Sequence, residues 1–270
     1  MRTTGHINIK SFRFNLFQEN GYVLWDEGKD CVIVDPGFLG TREREALMGF
    51  LSSEGLSPKA VWLTHGHFDH IFGVAELSRQ FQVKVWMAPE DKFILDRGGD
   101  YARGVGLPAP DTSFETCDLY DGQILRFAQD DNEVIQNVND VIQNDNDVIL
   151  NDSVILNGSE ESPAFKVIAT PGHTPGCVCF YNEEAKILFS GDTLFAGAIG
   201  RTDLEGGDYD KEIVGIMEKL MVLPGDVTVF PGHGPATSIA VERTSNPFLQ
   251  PFNEPWEFDG TQTDQEDICI

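Results

Sequence analysis

Basic residues are scarce in this chain: 19 Lys and Arg stand against 44 Asp and Glu in 270 residues, a formal net charge of −25. Gripping a phosphate backbone takes clustered Lys and Arg, so no nucleic-acid partner is expected. Long apolar runs are missing too. No window comes near the roughly 18 apolar residues of a spanning helix, so no membrane association is expected. The first dozen residues carry no apolar core of signal-peptide type. Cysteine is sparse and odd in number (Cys31, Cys117, Cys177, Cys179 and Cys269), with no CxxC pair. That argues against a disulfide framework and predicts reduced thiols in a cytoplasmic protein. Cys177-Val178-Cys179 reads as small buried side chains on a strand, not as a metal motif.

What is present is enough for a sizeable core. Hydrophobic residues make up 41% and aromatics 10%, which excludes a disordered acidic chain. The acids are unevenly placed. Residues 129–162 hold nine of them and 254–270 another six, neither stretch containing Lys or Arg. Within the first stretch, Val-Ile pairs recur at 134, 141, 148 and 154 among Asn and Asp. Asn and Asp oppose a helix, and the odd spacing flips faces along one strand. This predicts a low-complexity insertion, forming a hairpin extension or no fixed structure, within one domain over 1–253. Residues 254–270 read as an acidic tail.

Strand-like runs at 12–17, 22–25 and 31–34 are separated by turn signals, as in a meander. Further strands are expected at 60–64, 83–87, 123–127, 165–170, 178–181, 187–190 and 227–230. Helices are expected at 42–51, 71–81, after Pro89-Glu90-Asp91, and at 208–221. The alternation predicts an α/β protein with mixed sheets.

Six histidines are present, and all but His6 fall in three short motifs. These are Thr64-His65-Gly66-His67-Phe68-Asp69-His70, Pro171-Gly172-His173-Thr174-Pro175-Gly176 and Pro231-Gly232-His233-Gly234-Pro235; Ser190-Gly191-Asp192-Thr193 adds a carboxylate. Each follows an apolar strand, so four strand ends can converge on one sheet edge, where open α/β sheets place their sites. Imidazole nitrogens and carboxylate oxygens are ligands for a borderline cation such as zinc. His65 and His67 alternate by two and point the same way on extended chain. Seven ligands are too many for one tetrahedral ion but suit two ions sharing a carboxylate.

The HxHxDH motif, followed by His, Asp and His in that order, resembles the metallo-β-lactamase superfamily. Within it the chain looks like the short bacterial glyoxalase II-like (hydroxyacylglutathione hydrolase-like) branch. The likeness runs from Asn20-Gly21-Tyr22 through Asp35-Pro36-Gly37 to Asn246-Pro247-Phe248. It implies a four-layer αββα sandwich, two mixed β-sheets flanked by helices, with metals at one edge. By the same likeness His65, His67 and His173 match the first-metal ligands. Asp69, His70 and His233 match the second set, and Asp192 the bridging carboxylate.

The implied cofactors are two divalent cations, zinc first, with iron or manganese as alternatives. The implied reaction is hydrolysis of a small anionic thiolester, such as S-lactoylglutathione or a related acyl-thiol, by attack of a metal-bridging hydroxide. Asp69 and Asp192 would be the catalytic carboxylates, orienting that hydroxide, with Asp69 relaying its proton. Gly200-Arg201-Thr202-Asp203 stands where full-length glyoxalase II typically carries a Lys and a Tyr. Arg201 is expected either to bind a substrate carboxylate or to pair with Asp203 or Asp208. Persulfide dioxygenases, which use one iron, share the histidine pattern and form the alternative reading. A Cys in place of Asp192, expected in one group of true β-lactamases, is absent.

Overall fold

The structure, a computed structural model, describes residues 7–127 and 162–250. The expectations for the insertion at 129–162 (Ser162 apart), the tail at 254–270, His6 and Cys269 lie outside the described residues. Strands β1 (Asn8–Phe14), β2 (Glu19–Trp25) and β3 (Asp30–Val34) form the expected antiparallel meander. Helix α1 (Thr41–Glu54) then leads to β4 (Ser57–Trp62). Short helix α2 (Phe68–Ile71) and α3 (Val74–Phe81) lead to β5 (Lys84–Met87), and α4 (Lys92–Gly104) to β6 (Thr116–Asp118). β3 through β6 run parallel, each joined to the next by a helical crossover, and complete a six-stranded sheet.

The second sheet has the order β14-β13-β10-β9-β8-β7. Its strands are β7 (Ile124–Arg126), β8 (Ala164–Ala169), β9 (Val178–Asn182), β10 (Ile187–Gly191), β13 (Thr228–Pro231) and β14 (Thr237–Ser238). β10 and β13 pair in parallel and the other neighbours are antiparallel, so this sheet too is mixed. A two-stranded hairpin, β11 (Leu194–Phe195) with β12 (Ala198–Ile199), follows β10. Helices α5 (Tyr209–Gly215) and α6 (Ile239–Ser245) flank this sheet among the described residues.

Period-two burial explains the layering. On β2, Tyr22 and Leu24 face the core between the sheets, whereas Val23 faces the core under α1 and α3. On β9, Val178 and Phe180 join that central core, whereas Cys179 and Tyr181 face α5 and α6. Sheet faces apolar on both sides require covering on both sides, which gives the αββα order. Trp62, fully buried, locks the sheets together through Phe165 and Phe180, at ring distances of 5.4 and 5.3 Å. Buried aromatic pairs of this kind contribute about 0.5–1.5 kcal/mol each beyond their area.

Two local departures from expectation bear on function. The helix expected at 71–81 is two helices, split at Gly73. A side chain there would collide with the Phe38 ring, and the Gly73 amide instead donates to the Pro36 carbonyl at 2.8 Å. The first piece starts early enough to place Asp69 and His70 on a helical turn. The helix expected at 208–221 is capped by the Asp208 side chain and ends as a π-turn over Ile216–Leu220. Neither β6 nor the β11–β12 hairpin is legible from hydrophobic pattern. No described helix is long and apolar enough to cross a membrane.

Candidate metal centre

All four motif-bearing strands deliver their loops to one edge of the sandwich. β4 ends before His65, β8 before His173, β10 before Asp192 and β13 before His233. The backbone is adapted to this crowding. Gly191 has φ +49°, and a side chain there would strike Thr64, so the turn that presents Asp192 admits only glycine. Gly232 lies against Asp192 Oδ1 and His70 Cε1, leaving no room for a methyl group.

Hydrogen bonding at the rear of four of the five rings fixes which nitrogen faces inward. The Thr64 hydroxyl donates to Asp35 Oδ2 at 2.6 Å, so its oxygen can only accept from His65 Nδ1 at 3.0 Å. The proton of His65 is therefore on Nδ1, and Nε2 carries the lone pair. His70 Nδ1 donates to Asp35 Oδ2 at 3.1 Å, His173 Nδ1 to the Arg201 carbonyl at 2.7 Å, and His233 Nδ1 to the Phe17 carbonyl at 3.0 Å. Each of these four rings thus turns Nε2 into the site, in the manner of histidine ligands oriented by outer partners. His67 instead presents Nδ1, 2.9 Å from His173 Nε2.

These atoms gather into two sets. His65, His67 and His173 offer nitrogens within 4.8 Å of one another, and so do the ligand atoms of Asp69, His70 and His233. Asp192 stands between the sets. Its Oδ2 lies 3.6 Å from His173 Nε2 and 3.5 Å from His233 Nε2, and its Oδ1 3.5 Å from His70 Nε2. A third grouping, Asp35, His65 and His70, is the outer support just described. His65 Nε2, His70 Nε2 and Asp192 Oδ1 are buried without a hydrogen-bond partner. Buried polar atoms in folded proteins are normally satisfied, so these orphaned atoms, drawn from both ligand sets and from the residue between them, have the character of cation ligands. The structure thus brings together all seven residues expected as ligands.

Electrostatics divide the rings. Burial, then the charge of His70, keeps His65 well below its ordinary pKa; burial, then His173, pushes His67 down to about 3. Burial opposes a charge on His70, but Asp192 and then Asp69 hold its pKa well above the usual imidazole value. Burial would raise the Asp192 carboxyl, yet His70 holds it well below the carboxylate range. His65 and His67 are thus held neutral, whereas His70 rests against carboxylates.

Arg201 places its backbone carbonyl, not its guanidinium, at the centre. The side chain is exposed and forms a two-point pair with Asp203, at 2.7 and 2.8 Å. Of the two roles expected for it, this pairing is the one seen. Several outer residues were not singled out as site residues from sequence. Asp35, known there as part of a turn, supports both His65 and His70; its place directly after β3 was the available signal. Glu212 accepts from the His173 amide at 2.8 Å, and burial pushes its pKa up to about 8. Asn20 joins the Pro231 and Gly234 carbonyls, fixing the turn that carries His233. Glu19 is fully buried beside His70. Their sequence positions, within a helix or an early strand, carry no metal-ligand spacing.

Residues 14–233 match the family model of the metallo-β-lactamase superfamily, and the chain belongs to that superfamily. Its scaffold is that of a metallo-hydrolase, with His/Asp clusters consistent with a dinuclear metal site. Among its relatives is the hydroxyacylglutathione hydrolase GloC of Haemophilus influenzae, 34% identical over 244 residues that cover 90% of this chain and 98% of the relative. Among solved structures, the BLEG-1 B3 metallo-β-lactamase superposes with a TM-score of 0.71 at 33% identity, covering 90% of this chain and 99% of that one. A di-iron-bound form of TTHA1623 superposes with a TM-score of 0.69 at 31% identity, covering 89% and 100%.

Proposed function

We propose that this protein is a dinuclear metal-dependent hydrolase of thiolesters, acting on S-lactoylglutathione or a related acyl-thiol, with zinc as the cation. The observation that carries this reading is the position of Asp192, within 3.6 Å of a nitrogen from each ligand set. His65, His67 and His173 would hold one cation, Asp69, His70 and His233 the other, and Asp192 would be shared. Such a cation pair, when bound, supplies Lewis acidity that lowers the pKa of water and polarises a carbonyl.

The chain's own groups account for the rest. Asp69 Oδ2 and Asp192 Oδ2 both lie next to His233 Nε2, at 3.4 and 3.5 Å. These two carboxylates can orient an attacking water and accept its proton, Asp69 being the relay. A departing thiolate needs little protonation, so thiolester cleavage makes little demand for an acid at the leaving group. Arg201 can exchange Asp203 for a substrate carboxylate, because an exposed pair is worth only about 0–1 kcal/mol. Likeness to the Haemophilus influenzae hydroxyacylglutathione hydrolase supports a thiolester substrate. The substrate is a small anion; neither nucleic acid nor membrane is proposed as a partner. The described cysteines are free thiols, which supports a reducing, cytoplasmic setting.

Metal analysis of the full chain, with assays on S-lactoylglutathione, a chromogenic β-lactam and glutathione persulfide, tests this reading. About two zinc ions per chain with thiolester hydrolysis is the expected result. A single iron with oxygen consumption on the persulfide, or β-lactam turnover without thiolester turnover, would overturn it.

A further inference from the structure

Asp91 is completely buried, yet it is not among the groups that face the cations. Its Oδ2 accepts from the Gly66 amide at 2.9 Å and from the Thr174 hydroxyl at 2.8 Å, and its Oδ1 accepts from the Gly176 amide at 2.6 Å. Gly66 lies between His65 and His67, in the loop after β4 of the first sheet. Thr174 and Gly176 follow His173, in the loop after β8 of the second. One carboxylate therefore ties together the two loops that supply all three nitrogens of one ligand set. Asp91 also occupies the N-cap position of α4, where a carboxylate ordinarily accepts from its own helix; here it makes no such bond. Its three bonds go to the histidine loops instead. Gly176 is adapted to this contact, since a Cβ there would lie 2.6 Å from Asp91 Oδ1 and 2.9 Å from the Asp91 amide nitrogen.

We propose that Asp91 is a positioning residue for the cation held by His65, His67 and His173, clamping the β4 and β8 loops so that His67 and His173 are presented together across the two sheets. This inference rests on the metal-hydrolase reading above but not on its substrate. Burying a carboxylate is costly, and three donors from two loops offset that cost only while the loops stay in place. No such bond runs from Asp91 to Asp69, His70 or His233, so its effect falls on one ligand set.

The test measures zinc affinity of the full chain by competition with a chromophoric chelator, in two backgrounds. His233→Ala leaves the three-histidine set intact, and His67→Ala leaves the Asp69, His70 and His233 set intact. Asp91→Asn keeps the shape but turns an amide donor toward donors. It is expected to weaken zinc binding about tenfold or more in the His233→Ala chain, the range for outer partners of metal ligands, and to leave it within about twofold in the His67→Ala chain. Equal loss in both backgrounds would reduce Asp91 to a general support of the fold, and no loss in either would remove its role altogether. Should Asp91→Asn fail to fold by circular dichroism, Thr174→Val removes a single one of the three bonds and is expected to show the same asymmetry, with Thr174→Ser restoring affinity. A wild-type chain that binds two zinc ions but cleaves no thiolester would sink the substrate reading and leave this inference standing.

Discussion

His67 and His173, separated by 106 positions in the chain, meet with Nδ1 and Nε2 2.9 Å apart. Two imidazole nitrogens brought this close inside a protein are useful if a cation lies between their lone pairs. His67→Ala is expected to remove one of the two cations and to lower kcat/KM by more than about 100-fold, above the range seen for outer partners of ligands. Metal stoichiometry and steady-state kinetics on the same preparation check both.

Removal of the cations should destabilise the fold. A ligand present at about 100 times its dissociation constant stabilises by about 2.7 kcal/mol. Chelation of one such site is therefore expected to lower the thermal midpoint by roughly 5–10 °C, measured by calorimetry with and without chelator.

The depressed pKa of His67 sets a pH window for the metal-free chain. Folded, it takes up a proton only near pH 3, whereas the unfolded ring does so at its ordinary value of 6.5. Between these values the unfolded state binds more protons, so this ring's contribution to stability is full above pH 6.5 and declines as pH falls towards 3. That contribution to the thermal midpoint of the metal-free protein is expected to be lost over this range. A His67→Ala variant should show a shallower drop, read by circular dichroism melts across the range.

Gly232→Ala places a methyl group against Asp192 Oδ1 and His70 Cε1. Overpacking of this kind costs about 1–3 kcal/mol, and here the groups displaced are ligands. Loss of a bound cation together with a lowered melting temperature is the expected outcome. Wild-type metal content in the variant would show that the Asp192 carboxylate can shift without consequence.

Arg201→Ala tests the substrate contact. The pair with Asp203 is exposed, so its removal should change stability by less than about 1 kcal/mol. If the guanidinium meets a substrate carboxylate, KM should rise about fivefold with kcat unchanged, the size of a ~1 kcal/mol binding contact. An unaltered KM would leave Arg201 serving the site only through its carbonyl, which holds His173.

Much of this centre is legible in the sequence. Ligand motifs are local: HxHxDH occupies one loop, and each remaining ligand sits at a Gly- or Pro-bounded turn after an apolar run. The strands of the central layers are legible for the same reason, since they are short, apolar and separated by turn residues. Supporting residues are not local. Asp35, Asp91, Glu19 and Glu212 look in the sequence like turn or helix acids, and only packing shows them to be buried.

The sequence by itself therefore determined which ligand types are available, in what order and at which strand ends. The tertiary structure alone decided how those residues act together. It turned four imidazoles by bonding their rear nitrogens, set Asp192 between two ligand sets, and drew Arg201 to Asp203. It also broke the helix at Gly73, so that Asp69 and His70 share one turn. The reason is physical: ligand identity is carried by individual side chains, whereas orientation, burial and charge depend on contacts between segments far apart in the chain.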